Sequence, residues 1–131
     1  MNGFAVLLLA ADRSERIDGV TGFVGEDRSG SFGLLAGHER FMTVLRYGLA
    51  RLRLADGRVN FLALPGGLLY FIDNECRIST RRFLRDTDAT HIAQALTREM
   101  LEEEEALAET RRKLRQLESE MLKELAQLER E

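Results

Sequence analysis

Lysine is nearly absent from this chain, with only Lys113 and Lys123 among 131 residues. Tryptophan is missing, and cysteine and proline occur once each, as Cys76 and Pro65. Each scarcity closes off a class of function. A Walker-type phosphate loop needs lysine and then serine or threonine after its last glycine, and here Gly37 is followed by His38-Glu39. A lone cysteine excludes an intramolecular disulfide, and nothing assigns the chain to an oxidising compartment. The apolar run in the N-terminal "MNGFAVLLLAA" is too short to span a bilayer and has no basic flank, so it reads as a first strand. The net charge of -3 excludes chain-wide electrostatic binding of nucleic acid.

What is present is divided sharply. All eleven glycines and Pro65 precede Asp88, and none follows it. The length suits one domain with an appendage. The expected fold is α+β: an N-terminal antiparallel β-sandwich over residues 1–86, then a C-terminal helical segment over 87–131. That segment is expected as a helical hairpin or a single long helix.

The first part has strand grammar. Phe4–Leu9 is a short apolar run, and Arg16–Asp27 carries a glycine at every third position, which suits short strands with bends or bulges. In Leu49–Leu64, Asp56-Gly57 separates two apolar-rich arms and predicts a type I′ hairpin. Ala50, Leu52 and Leu54 alternate with Arg51 and Arg53, one face for a core and one for solvent. Pro65-Gly66-Gly67 and Asp73-Asn74 mark further turns, and Cys76, Ile78 and Thr80 alternate with Arg77, Ser79 and Arg81. Closely spaced short strands of this kind make a sandwich or flattened barrel.

The second part has helix grammar. Asp88 or Thr90 supplies an N-cap. Ile92, Leu96, Met100 and Leu101 form one apolar stripe, and Leu107, Leu114, Leu117, Met121, Leu125 and Leu128 a near-heptad seam. Glu102–Glu105 interrupts them and is either a solvated face or a bend. A stripe this narrow needs a partner, either the chain folded back or a second chain.

The candidate chemical sites are weak. His38, Cys76 and His91 have no metal-ligand spacing. Their ordinary roles are a turn-fixing loop histidine, a small buried apolar residue and a first-turn helix residue. Ser29 and Ser31 flank Gly30 without a strand-to-helix elbow. No cofactor and no metal is expected, and no catalytic residue. Arg51, Arg53, Arg77, Arg81, Arg82 and Arg85 make the sandwich cationic, for docking an acidic protein surface or for solubility.

The stretch "GSFGLLAGHERFMTVLRYG" resembles a pattern of the ε subunit of F-type ATP synthases, G-x-x-G-x-L/Y-P-G-H-A-P-L-x-T-x-L-x-x-G. Gly30, Gly33, Gly37, His38, Thr43, Leu45 and Gly48 stand at matching positions. "FLALPGGLLYFIDNECRIST" is similar to that family's strand with Gly66 and Gly67 aligned. Ala36 departs from the family's proline, Glu39-Arg40 from its Ala-Pro, and Pro65 from its serine. These departures resemble a divergent branch, such as the alternate ATPases encoded beside a standard one in some bacteria.

The resemblance implies a non-catalytic central-stalk rotor subunit, peripheral on the cytoplasmic face of the bacterial inner membrane. It would link γ to the membrane c-ring and couple ion translocation to ATP synthesis or hydrolysis. Ser31, His38, Glu39, Arg40 and Met42 would face the c-ring, with Gly30, Gly33, Gly37, Gly48, Gly66 and Gly67 as turn glycines. Another face would pack on γ. The tail would fold back or extend along γ to the α/β catalytic head, where it would impede hydrolysis. The family's ATP motif on the tail, I/L-D-x-x-R-A, is degenerate in "LAETRR": Leu107 and Arg111 remain, and the aspartate and alanine are lost. The alternative is a stand-alone β-sandwich adaptor that dimerises through a Leu107–Leu128 coiled coil.

Overall fold

The computed structural model describes residues 3–130; Met1, Asn2 and Glu131, the outermost residues of the two expected segments, lie outside them. Among the described residues nine strands precede one helix: β1 Phe4–Leu9, β2 Ser14–Asp27, β3 Gly30–Leu34, β4 Phe41–Leu45, β5 Gly48–Leu54, β6 Val59–Leu64, β7 Gly67–Ile72, β8 Glu75–Ser79, β9 Leu84–Asp86 and α1 Ala89–Arg130. The described residues up to Leu96 form one compact unit, and those from Thr97 onward form another.

The sandwich is organised by β2, which is 14 residues long. Its first half pairs with β1 and its second with β3, while β5 lies along the opposite edge from Val20 to Val24. Its last residue, Asp27, meets Leu45 of β4. One side of the sandwich is β3, β2, β5, β6 and β9; the other runs β2, β1, β8, β7 and β4. Every pairing is antiparallel except β1 with β8, which is parallel. The expected short strands of Arg16–Asp27 are therefore one strand. Its glycines accompany register shifts opposite Phe4/Val6 and between Val20 and Gly22, bulges that bend β2 from one sheet into the other.

Strand alternation follows the sequence pattern. Ala50 and Leu52 point inward while Arg51 and Arg53 are exposed, and Cys76 and Ile78 point inward while Arg77 and Ser79 are exposed. The core gathers Val6, Leu8, Val20, Phe23, Leu52, Leu62, Leu69, Phe71, Cys76 and Ile78. Each fully buried Leu, Val or Phe contributes about 1.5–3 kcal/mol relative to an exposed one. An aromatic row crosses this core: Phe4 meets Phe71 edge-on at 5.3 Å, and Phe32 lies 5.3 Å from Phe41 and 6.2 Å from Phe23.

Two turn assignments change. At Asp56-Gly57 only Gly57 is left-handed, with φ 87°. The Gly57 N–H donates to the Leu54 carbonyl at 3.0 Å and the Leu54 N–H to the Arg58 carbonyl at 2.8 Å. That is a three-residue loop with a glycine bulge rather than the expected type I′ turn. The two-residue type I′ turn is Asp73-Asn74, with φ 50° and 60°, between the paired residues Ile72 and Glu75.

The helix is a single element of 42 residues, about 63 Å long at about 1.5 Å per residue. It runs unbroken through Glu102–Glu105, so the tail is the single long helix and not the hairpin. Asp88 is the N-cap: its Oδ1 accepts from the Thr90 and His91 N–H groups at 2.9 and 3.3 Å. Ile92 is buried in the first unit, and the Tyr47 hydroxyl donates to the Leu96 carbonyl at 3.4 Å. Farther along, Leu107, Leu114, Leu117, Met121, Leu125 and Leu128 are all more than half exposed.

The arginines do not form one cationic surface. Arg51 and Arg53 stand on β5, on one side of the sandwich, and Arg77 on β8, on the other. Arg77 pairs with Glu75 at 2.7 Å, and Arg85 pairs with Glu15.

Candidate functional site

The loop between β3 and β4, residues 35–40, gathers three of the five candidate interface residues. It turns tightly because the His38 N–H donates to the Leu35 carbonyl at 3.1 Å and Gly37 adopts φ 79°, a conformation that costs glycine least. Asn74 holds it from outside. Its Oδ1 accepts from the Gly37 N–H at 2.8 Å, and its Nδ2 donates to the Gly3 carbonyl at 2.8 Å. One amide thus joins the loop, the β7–β8 turn and the start of the chain.

His38 packs edge-on against Phe41 and Phe71, with ring centroids 5.7 and 5.8 Å away. It links the Phe4–Phe71 pair to the group of Phe41, Phe32 and Phe23. Its Nδ1 lies 2.7 Å from the Glu39 carbonyl, which accepts from it. Glu39 and Arg40 are exposed beside it. Met42 follows on β4 and is 60% exposed. Ser31 does not join them. It sits at the far end of β3, paired with Glu26, next to the β2–β3 turn.

That turn has its own polar clamp. Asp27 is buried and accepts from the Ser29 hydroxyl at 2.6 Å, the Ser29 N–H at 2.9 Å and the Thr43 hydroxyl at 2.7 Å. The Ser29 and Thr43 hydroxyl bonds, with the Ser29 backbone bond, hold its carboxyl below the usual carboxylate range.

The turn glycines take different positions. Gly30, Gly37 and Gly66 have positive φ, Gly48 opens β5, and Gly33 lies inside β3. At Gly67 a Cβ would sit 2.5 Å from the Ser79 carbonyl oxygen, so β7 and β8 approach too closely there for any side chain.

Two exposed faces flank the loop's strands. On β4 and β7 the cross-strand pairs Met42–Tyr70 and Val44–Leu68 point outward. Val44 is 68% exposed and Leu68 44%. On the opposite side, a groove of 590 Å³ runs over Gly22 and Gly33 between Val24, Leu35 and Val59, with Arg51 and Arg53 at its edge.

Chemistry is not gathered here. Among the described residues no three of His, Cys, Asp or Glu stand where they could hold a metal. Cys76 is buried, and burial pushes its thiol up to about 12, which leaves it without thiolate character at neutral pH. His91 lies at the start of the helix against Asp86, 2.5 Å from its carboxylate. Among the described residues no helix is long and apolar enough to cross a membrane.

The sequence matches the family described as ATP synthase, Delta/Epsilon chain, beta-sandwich domain over residues 4–86, from the first residue of β1 to the last of β9. The chain belongs to the ATP synthase delta/epsilon family. It is 32% identical over 111 residues to the ATP synthase epsilon chain of Streptomyces coelicolor, covering 84% of this chain and 90% of that one. It is 42% identical over 52 residues to ATP synthase epsilon chain 2 of Cereibacter sphaeroides, a match covering 40% of this chain and 36% of that one. Among solved structures, a chain of the Euglena gracilis mitochondrial ATP synthase (OSCP/F1/c-ring) aligns with TM-score 0.57 and 22% identity, over 71% of this chain and 61% of that one. A chain of the Tetrahymena thermophila mitochondrial ATP synthase central stalk and c-ring aligns with TM-score 0.52 and 18% identity, over 61% and 64%. These two likenesses are of fold.

Within the delta/epsilon family's sandwich, Asn74 and Asp27 are the residues that sequence reasoning missed. Asn74 had a legible signal: Asp-Asn between two alternating strands marks a turn whose side chains bond locally. Its bonds to Gly37 and Gly3 join positions remote in sequence and carry no such mark. Asp27 begins "DRSG", an Asx-turn pattern, but Thr43 enters only through the fold.

Proposed function

We propose that this chain is the non-catalytic ε subunit of a rotary ATP synthase, joining γ to the membrane c-ring on the cytoplasmic face of a bacterial inner membrane. The observation that carries the reading, beside family membership, is the outward apolar column Met42, Val44 and Leu68 on strands adjoining the His38 loop. Exposed apolar side chains in a contiguous patch mark a surface that another protein covers. The column supports a γ-facing wall, with Met42 at its c-ring end. His38, Glu39 and Arg40 form the polar loop for the c-ring. Ser31, at the other end of β3, contributes to a separate edge of that contact. The turn glycines shape the loops that make these contacts.

In this reading the subunit does no chemistry. It transmits rotation of the ring to γ, and its tail from residue 87 onward reaches toward the α/β head and impedes hydrolysis. Impeding hydrolysis requires that the tail bind the resting and rotating states differently. ATP plays no part at "LAETRR".

Affinity capture of the tagged full chain from its own cells tests the assignment. Recovery of γ with α and β by mass spectrometry is the expected result. Recovery of the chain alone would overturn it in favour of a dimeric adaptor, the second reading, which the exposed Leu107–Leu128 seam supports. Removing residues 97–131 and measuring ATP hydrolysis by the complex tests the tail. Unchanged hydrolysis would remove the inhibitory role and leave coupling intact.

A further inference from the structure

Strand glycines in the sandwich are of two kinds. At Gly67 a Cβ would stand 2.5 Å from the Ser79 carbonyl oxygen, and at Gly25 one would stand 2.9 Å from the buried Phe23 ring, so packing forbids a side chain at both. Gly22 and Gly33 are different. Neither has the positive φ that favours glycine. A Cβ on Gly22 would meet only the end of Leu35 at 3.9 Å, and one on Gly33 only the Phe23 carbonyl oxygen at 3.8 Å, both ordinary contacts. Gly22 adjoins the bulge of β2, yet its backbone is not left-handed there. Glycine inside a strand weakens it, and it often marks a place where a ligand or another backbone comes close. The chain's own packing gives no reason for glycine at these two positions.

Both glycines floor the same groove. On the outer face, β3, β2 and β5 bring Gly33, Val24 and Arg51 into one cross-strand row. The neighbouring row sets Gly22, Arg53 and Val59 side by side on β2, β5 and β6. Leu35 leans over the Gly22 end. The space is 590 Å³, within the range of about 300–1,000 Å³ for small-molecule sites, whose walls are mainly apolar with a few placed polar groups.

The charge of this groove has one sign. Arg51 and Arg53 are the ionised groups of its lining, and among the described residues no Asp or Glu borders it. Elsewhere on the sandwich Arg16, Arg46, Arg58, Arg77 and Arg85 each face a carboxylate. Among the described residues Arg51 and Arg53 have no such partner, and both are exposed. They stand two residues apart on one face of β5, about 6.7 Å at about 3.3–3.4 Å per residue. At that spacing two guanidinium groups can grip one carboxylate, whose two oxygens match the guanidinium fork.

We propose that this groove is a binding site for a small amphipathic carboxylate: Arg51 and Arg53 hold the head, and the apolar body lies on Gly22 and Gly33 against Val24 and Leu35. The bare floor lets the body approach the sheet backbone. Its burial takes apolar surface of Leu35, 67% exposed, and of Val24 out of water. The two arginines break no ion pair to receive the head. The groove lies on the opposite side of the sandwich from Met42, Val44 and Leu68, so the site stands whether or not those residues meet γ.

The test titrates the full chain with sodium decanoate, followed by calorimetry and by amide NMR. Saturable binding is expected, with shifts concentrated at the Gly22, Gly33, Arg51 and Arg53 amides. R51A/R53A is expected to raise the dissociation constant at least about tenfold, the scale of losing charge-assisted hydrogen bonds. Decanol, with a matching body and no charge, is expected to bind at least about tenfold more weakly than decanoate. Gly33→Val is expected to weaken decanoate to a similar degree by filling the floor. Its urea midpoint should stay at or above that of wild type, because the side chain has room and suits a strand. Decanol binding as tightly as decanoate, or R51A/R53A binding as tightly as wild type, would overturn the anionic head. Undiminished binding by G33V would overturn the location, and a lower urea midpoint would overturn the premise that the fold leaves Gly33 free. No saturable binding up to about 1 mM would overturn the proposal outright. In that event a wild-type dimer abolished by R51A/R53A would give the groove to a second copy, and tail amides shifted by R51A/R53A would give it to the chain's own acidic helix.

Discussion

In the sandwich, Leu52, Leu62 and Leu69 have no exposed surface; in the tail, Leu107, Leu114 and Leu117 keep more than half of theirs. The same residue type therefore does two jobs in one chain. Sandwich leucines face other strands because period-two alternation delivers them to a closed core. Tail leucines follow a heptad along a helix that supplies no second wall. The difference teaches that hydrophobicity identifies a buried position only when the rest of the fold provides its cover. In the tail that cover must come from elsewhere.

The comparison can be broken most directly by truncating one side chain in each region. Phe71→Ala removes a fully buried ring that touches Phe4 and His38, and should lower unfolding free energy by about 3–5 kcal/mol in urea titration. Leu114→Ala in the same isolated chain should change it by less than about 0.5 kcal/mol, as expected of an exposed position. A loss above about 1 kcal/mol at Leu114 would mean that the tail seam is already covered, and the contrast would collapse.

Gly67→Ala comes next in size. Its new methyl would lie 2.5 Å from the Ser79 carbonyl oxygen, and the strands must part to admit it, at a cost of about 1–3 kcal/mol seen as a lower urea midpoint. Asn74→Gly sharpens the picture of the loop. Glycine keeps the left-handed backbone but loses both side-chain bonds, so stability should fall by about 1 kcal/mol. Hydrogen exchange at the Gly37 amide should accelerate, and unchanged exchange there would show that Asn74 does not hold the loop.

The last contrast is in acid. Asp27 has a depressed carboxyl, so its contribution is present above the ordinary carboxylate value of 3.8 and is lost as pH falls through the lower folded value. Asp27→Asn should therefore lower stability at neutral pH and flatten the loss as pH falls below the ordinary carboxylate value of 3.8. Parallel acid-unfolding curves for the two proteins would reject that account.

Much of the fold was legible because its cause is local. Alternation in Leu49–Leu54 and Cys76–Ser79 follows from one buried face, and the glycine-free tail from helix propensity. The failures share a different cause. Asp56-Gly57 carries the type I′ signature, yet the register of Arg53 with Val59 leaves a longer loop and only Gly57 turns left-handed. The glycines of β2 suggested breaks, but the strand continues because β1, β3 and β5 supply partners along its length. Of the candidate interface, the His38–Arg40 loop was legible from its glycine and turn residues. The separation of Ser31 from it was not, since β3 lies between them. Nor was the exposed column on β4 and β7: Val44 and Leu68 look like core residues until the sheet shows which side they face.

The parallel pairing of β1 with β8 joins Ala5–Leu9 to Glu75–Ser79, some of the most distant partners in the sandwich. During synthesis the first strand must wait for the eighth before its outer edge is covered. Contacts of such long range close slowly, in milliseconds to seconds for β-rich domains. The tail changes the timing. At about 5–20 residues per second, the 42 residues of the helix take roughly 2–8 seconds to translate after the last strand is made. A segment with no core of its own thus gives the sandwich time to close while the chain is still tethered to the ribosome, before two unfinished sheet edges from different molecules can meet.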